Sequence, residues 1–316
     1  MKSADHRRRP FRFGAIVSGA ADGAKWREIC RRVEDSGCTT VYISDHFGEQ
    51  FALMPALAAA LEASTTLRAG ALVASNDYRH PVTHAKELAT LDVLSAGRVD
   101  WGIGAGWLDR EYHRAGIRFD RGSVRAARMC EAVTVMKGLF ADGEFSFSGA
   151  HYTIDHLDGR PKPTQRPHPP LTIGAQGRRL LSFAAKEADV ISVAPSLSCR
   201  QLGPFPARQS VEDAADEQIR WICEAAGDRL PSIELNMVAA PLVVTQHRSN
   251  AAEDAAAQIG LTPAEALRAP HVWIGTTAEL CDKLERQRER WGVSSWAVNM
   301  NSLPAVASVI ERLAGN

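Results

Sequence analysis

Nothing in this chain encodes a cross-linked or metal-stapled fold. Its six cysteines (Cys30, Cys38, Cys130, Cys199, Cys223 and Cys281) are scattered, and none forms a C-x-x-C pair. That pattern fits a reducing cytoplasm better than a disulfide framework or a zinc site. An excess of one charge is missing too: Lys plus Arg number 37, and so do Asp plus Glu. With no surplus of cations to displace phosphate counterions, neither nucleic acid nor an acidic membrane is expected as a partner. No run approaches the roughly 20 apolar residues that span a bilayer. The N-terminal arginines invite comparison with an export signal, but the apolar run after them, Phe13 to Val17, is about five residues where such a signal needs roughly 7–15. A short basic tail leading into a first strand is the expectation. A G-x-S-x-G elbow is absent, which removes the commonest hydrolase signal. Internal repeats and low-complexity tracts are absent as well.

What is present is an alternation. Near-continuous apolar runs with β-rich composition occur at Arg12–Val17, Thr39–Ile43, Leu67–Val73, Val99–Ile103, Leu171–Ile173, Val190–Val193, Ile233–Val238 and Ser295–Val298. Amphipathic helical patterns separate them, at Lys25–Asp35, Leu53–Ala63, Val82–Leu94, Arg125–Phe140, Leu180–Lys186, Asp213–Glu224 and Thr277–Trp291, with a closing helix near Pro304–Leu313. Eight strands each followed by a helix predict a single α/β domain over residues 1–316, a (β/α)8 TIM barrel. Continuous apolar strands are what a parallel sheet covered on both faces requires. Periodicity does not count how a sheet closes, so a doubly wound open sheet is the alternative. Three intervals exceed simple connections: 141–170, read as a small hairpin plus a Pro-rich approach; 194–212; and 245–270, with a short helix in "TPAEALRA". They place insertions in the C-terminal half.

A barrel gathers its chemistry at the C-terminal ends of its strands. There the chain offers Asp45-His46, then Ala74-Ser75-Asn76-Asp77, then Gly104-Ala105-Gly106-Trp107, and lastly Gly174-Ala175-Gln176-Gly177-Arg178-Arg179. An Asp-His pair can be structural, a helix cap with packed imidazole beneath it. At a strand end it can also move a proton, because imidazole titrates near neutral pH. In "LTIGAQGRR", Gly174 and Gly177 let backbone amides approach an anion, although turns between strands and helices use glycine routinely. "GIGAGW" has G-x-G-x-G spacing and misses the dinucleotide fingerprint. Its Gly104 and Gly106 read as a tight corner with room for a planar ligand, and Trp107 as a wall of that cavity or as core. His80 and His84 lack the Glu of an H-E-x-x-H arrangement, so packing or capping is expected of them and no metal site is assigned.

Taken in order, "RFGAIVSG", "GCTTVYISDHF", "LRAGALVASNDYRHPVTHAKELATLDVLSAGRVDWGIGAGWLDREYHRAGIRFDR" and "PPLTIGAQGRRLLSFAAKEADVISV" resemble the bacterial-luciferase-like superfamily. Within it they are most similar to actinobacterial oxidoreductases that use the deazaflavin coenzyme F-420. The resemblance implies a cofactor across the barrel mouth, a non-proline cis peptide near Ala74-Ser75 against its ring, and Asn76, Gly104, Gly106 and Trp107 beside it. It further implies that Gly174, Ala175, Gln176, Gly177 and Arg178 hold the cofactor phosphate. His46 would exchange the proton that accompanies hydride transfer to or from a small organic substrate, with Asp45 orienting it. Superfamily likeness also suggests a homodimer. The sugar-phosphate dehydrogenases of the family carry a Trp four residues after the His and a Glu after the strand-four glycines. This chain has Gln50 and Trp107 there, which argues against a glucose-6-phosphate substrate. The alternatives are an FMN-dependent monooxygenase, whose reduced flavin consumes oxygen, and a non-catalytic flavin-binding barrel.

Overall fold

The computed structural model describes residues 9–194 and 211–316. The basic tail and nearly all of the 194–212 interval, Cys199 included, lie outside the described residues. From the N-terminus the chain forms β1 (Arg12–Ile16), α1 (Gly23–Asp35), β2 (Thr40–Ile43), α2 (Leu53–Ala63), β3 (Arg68–Ala71) and the two-residue β4 (Ala74–Ser75). It continues through α3 (Pro81–Leu94), β5 (Val99–Gly104), α4 (Asp109–Ala115) and α5 (Gly122–Phe140) to the hairpin of β6 (Glu144–Ser148) and β7 (Thr153–Asp158). Then come β8 (Leu171–Ala175), α6 (Arg178–Glu187), β9 (Val190–Val193), α7 (Val211–Ala226), β10 (Glu234–Ala239) and β11 (Leu242–Val244). The last elements are α8 (Arg248–Ile259), α9 (Pro263–Arg268), β12 (Trp273–Gly275), α10 (Thr277–Trp291), β13 (Val293–Asn299) and α11 (Leu303–Leu313).

The main strands hydrogen-bond in the order β3-β2-β1-β13-β10-β9-β8-β5, and β5 pairs again with β3, so the ring closes. The eight expected strands are therefore those of a closed parallel (β/α)8 barrel. The open-sheet alternative falls with that closure. All six residues of β5 and all four of β2 are buried, the two-sided covering that their unbroken apolar character requires.

By backbone contacts the chain divides into two compact units, Ile16–Glu34 with Thr39–Gly174, and Met1–Ala15 with Asp35–Cys38 and Ala175–Asn316. In the first, α1 buries Trp26, Cys30 and Val33 at i, i+4, i+7, the spacing of one helical face. Helix α5 buries Met129, Val133, Met136, Leu139 and Phe140, and the Phe140 ring meets Trp101 of β5 edge-on at 5.4 Å. The expected hairpin is present. It is tied to α5 by Glu131, whose carboxylate accepts from the amides of Ala150, His151 and Tyr152 at 2.8–3.2 Å.

In the second unit, Trp273 of β12 packs edge-on against Trp296 of β13 at 5.1 Å. Reciprocal capping boxes start α9 (Thr262 with Glu265) and α10 (Thr276 with Glu279). Half-buried Lys283 donates to the carbonyls of Leu267, Ala269 and Val272 at 2.6–3.1 Å and so anchors the end of α9. Burial pulls its ammonium down to about 7. The 245–270 interval holds two helices where one is expected, because the alanine-rich stretch before "TPAEALRA" also forms α8. The parallel pair β11–β12 adds a small sheet that each three-residue strand is too short to announce.

Candidate active site

Most of the expected strand-end residues lie in the first unit, where they form one hydrogen-bonded cluster. His46 follows β2, and its Nδ1 lies 2.9 Å from Oε2 of Glu111 on α4. The imidazole is about a quarter exposed and the carboxylate 12% exposed, so the pair is sheltered yet reachable. As a carboxylate Glu111 only accepts, which places the hydrogen on Nδ1 and leaves the Nε2 lone pair for proton exchange. The Tyr78 hydroxyl donates to the same Glu111 oxygen at 3.4 Å, and burial raises that phenol above its ordinary value, keeping it a donor.

Asp45 does not orient His46. Its carboxylate pairs with Arg79 at 2.6 Å and accepts the amide of Ser75 at 3.0 Å. Successive residues leaving a strand point to opposite sides, so adjacency in sequence does not bring the two side chains together. Asp45 instead fixes the backbone of β4 and aligns Arg79. The carboxylate in contact with His46, where Asp45 is expected, is Glu111, 65 positions later in sequence.

Ser75 continues the network. Its hydroxyl is 3.0 Å from that of Tyr112, which also donates to Asp77 Oδ2 at 3.2 Å. Burial pushes the Tyr112 phenol up to about 12. Asp77 is held by Arg128 at 2.8 Å, and Arg128 also pairs with Asp120. Buried Asn76 donates to the Tyr152 hydroxyl at 3.3 Å.

The non-proline cis bond lies at Leu72–Val73, two residues before the expected Ala74-Ser75. Val73 accounts for one glycine: a Cβ on Gly104 would come 2.6 Å from its Cγ2. Gly106 has φ +74°, and a Cβ there would fall 1.8 Å from the Tyr112 hydroxyl. The space beside both glycines is thus taken by protein side chains, not left for a planar ligand. Trp107 is not core; it is 66% exposed and meets the His46 ring edge-on at 6.0 Å.

The local sequence explains α4. Asp109 and Glu111 sit in its first turn, His113 and Arg114 in its last, and Gly116 ends it at φ +69°. Tyr112 is buried and anchors the helix, which presents Glu111 to His46. His80 caps α3 by accepting the Val82 amide at 3.3 Å, as capping predicts. His84 is buried, and burial drops it to about 3, so it stays neutral. Among the described residues no group of three or more His, Cys, Asp or Glu is placed to hold a metal ion.

The Gly174–Arg178 turn lies at the start of α6. Its N-cap, Gly177, supplies no side-chain cap, the first turn carries no acidic residue, and open space adjoins Gly177. Gln218 holds the turn by donating to the carbonyls of Gln176 at 2.9 Å and Ala194 at 3.0 Å. A helix start with no acidic residue in its first turn suits a phosphate, although Glu224 lies 3.9 Å from the Arg178 guanidinium.

The chain belongs to the luciferase-like monooxygenase family, whose profile matches residues 9–305. It is 28% identical over 190 residues to an FMNH(2)-dependent dimethylsulfone monooxygenase of Pseudomonas putida, covering 56% of this chain and 51% of that protein. It is also 28% identical over 173 residues to an F-420-dependent glucose-6-phosphate dehydrogenase of Amycolatopsis mediterranei, covering 51% of this chain and 50% of that one. The chain thus matches about half the length of these curated relatives. A solved F-420-dependent secondary alcohol dehydrogenase in complex with an F-420-acetone adduct superimposes with TM-score 0.74 at 19% identity, covering 96% of this chain and 98% of that one. Relatives on both sides use a deazaflavin or a flavin. No helix among the described residues is long and apolar enough to cross a membrane.

Proposed function

We propose that the protein is an oxidoreductase that transfers a hydride between coenzyme F-420 and a small organic substrate. The observation that carries this reading is the 2.9 Å contact of His46 Nδ1 with Glu111. A carboxylate on one ring nitrogen fixes the tautomer and stabilises the imidazolium, so Nε2 can take a proton and return it. In the alcohol-oxidising direction His46 accepts the hydroxyl proton as the carbon gives up its hydride; in the carbonyl-reducing direction it donates the proton back. When bound, the deazaflavin supplies the two-electron acceptor or donor for that hydride.

The chain's residues fit such a group in two places. The Gly174, Ala175, Gln176, Gly177 and Arg178 turn would take its phosphate at the start of α6, which has no side-chain cap and no acidic residue in its first turn. Ala74, Ser75 and Asn76, braced by Asp45, Tyr112 and Val73, would back its ring, while Gly104 and Gly106 make room for Val73 and Tyr112 and do not meet it. Asp45 acts through this backbone and not on the proton. The same family likeness supports a homodimer, checked by sedimentation.

The test is turnover of F-420, followed by its absorbance, with secondary alcohols and ketones under anaerobic conditions. Substrate-dependent oxidation or reduction of F-420 is expected. Oxygen uptake with reduced FMN, and no change in F-420, would establish the monooxygenase reading instead.

A further inference from the structure

Trp107 and Phe47 pose a question the proton chemistry does not answer. Among the described residues the exposed large apolar side chains include only two aromatic ones, Phe47 at 54% and Trp107 at 66%; Trp107 meets the His46 ring, and Phe47 meets Tyr78. Phe47 follows His46 in the chain, and its ring lies 4.4 Å from that of Tyr78, whose hydroxyl reaches Glu111. Trp107 presents its ring edge-on to the imidazole. Single exposed apolar side chains are ordinary on a protein surface, but one ring on His46 and a second on the tyrosine that bonds its Glu111 partner are a place for a ligand.

The charges around the dyad point to the kind of ligand. The three sheltered guanidiniums in contact with this cluster are already engaged, Arg79 by Asp45, Arg128 by Asp77 and Asp120, and Arg125 by the carbonyls of Ala105, Gly106 and Asp120, and the exposed Arg118 pairs with Asp120. Arg125 also lies 3.9 Å over the Phe119 ring. An anionic substrate would meet the Glu111 carboxylate beside His46 and find these three cations spent, and a desolvated anion without a partner is costly to hold.

We propose that Phe47 and Trp107 form the substrate platform, and that the substrate is uncharged with a flat aromatic face next to the hydroxyl or carbonyl that reacts. This rests on the hydride-transfer reading above and moves Trp107 from the cofactor to the substrate. A ring on this platform places its α-carbon oxygen at the imidazole, with apolar surface providing the binding and His46 the proton path.

The test compares matched substrates that differ by one charge. The F-420-loaded enzyme is assayed with 1-phenylethanol and acetophenone, with mandelate and benzoylformate, and with glucose-6-phosphate. The uncharged pair is expected to exceed the carboxylate pair by about tenfold or more in kcat/KM. Trp107→Ala and Phe47→Ala are expected to raise KM for the uncharged pair about tenfold while F-420 affinity is unchanged. Preference for the anions, or unchanged KM in both variants, or loss of F-420 affinity in step with KM, overturns the platform and leaves hydride transfer standing. If F-420 turns over with none of the five, the platform is judged by binding. Acetophenone is expected to quench tryptophan emission in the wild type and not in Trp107→Phe; equal quenching in the two, or none in either, overturns it.

Discussion

The two units use buried polarity differently. In the first, ionisable groups are gathered at strand ends and on α4, and the His46–Glu111 pair keeps contact with water. In the second, one polar residue from each of three adjacent strands forms a neutral ladder: Ser192 of β9 donates to Asn236 Oδ1 of β10 at 2.9 Å, and Asn236 Nδ2 donates to Ser295 of β13 at 3.1 Å. All three are buried. A neutral ladder satisfies hydrogen bonds at little desolvation cost and has no proton to exchange near neutral pH. A sheltered carboxylate–imidazole pair is harder to build, because both of its groups are ionisable. Buried polarity alone therefore does not mark a site; titratable polarity with access does.

Substitutions in the two units should separate these roles. The largest effect expected is on His46→Ala, a loss of turnover of about 10²–10⁴-fold with cofactor binding retained, read from F-420 absorbance and fluorescence. Unchanged turnover would remove His46 from the mechanism. Glu111→Gln keeps the size of the side chain but not its charge, and should cost about 10–10³-fold in kcat without a matching loss of stability. Asp45→Ala acts otherwise. It leaves Arg79, whose side chain is 19% exposed, with only Glu87 at 3.9 Å, so a loss of about 1–3 kcal/mol in unfolding free energy is expected from denaturant titration.

In the ladder, Asn236→Ala leaves two buried hydroxyls without their partner and should cost about 1–3 kcal/mol of stability, with kcat unchanged. A fall in kcat there would erase the distinction between the units. The smallest effect concerns Glu34, whose carboxylate accepts from Thr65, Thr66 and Leu67 and is held down at about 2, chiefly by the Thr66 hydroxyl. Its folded value lies below the ordinary one of 4.5, so its contribution is present above about pH 4.5 and is lost as pH falls toward 2. After solvent screening that is about 1 kcal/mol. Glu34→Gln should flatten the acid limb of a stability profile by that amount; an unchanged limb would contradict the assignment.

The barrel was legible because buried parallel strands are continuous apolar runs: Thr39–Ile43 and Val190–Val193 agree with β2 and β9 to within a residue. The elements that escaped are those too short for a period to show. Helix α4 spans seven residues with one buried anchor, Tyr112, so no apolar stripe announces it. Its end signals were there to read in "LDREYHRAG": acidic residues first, basic residues last, then a glycine. Missing α4 meant missing Glu111, and with it the partner of His46. The cis bond at Leu72–Val73 was hidden because the run Leu67–Val73 reads as an ordinary strand. Gly104 and Gly106 were noticed correctly as tight places, but only coordinates reveal that Val73 and Tyr112 occupy the space.

The most direct test of the central claim is a fluorescence titration of the purified protein with F-420 and, separately, with FMN. The account predicts saturable binding of F-420, stronger than that of FMN and retained in His46→Ala. Tight binding of FMN with none of F-420 would contradict it.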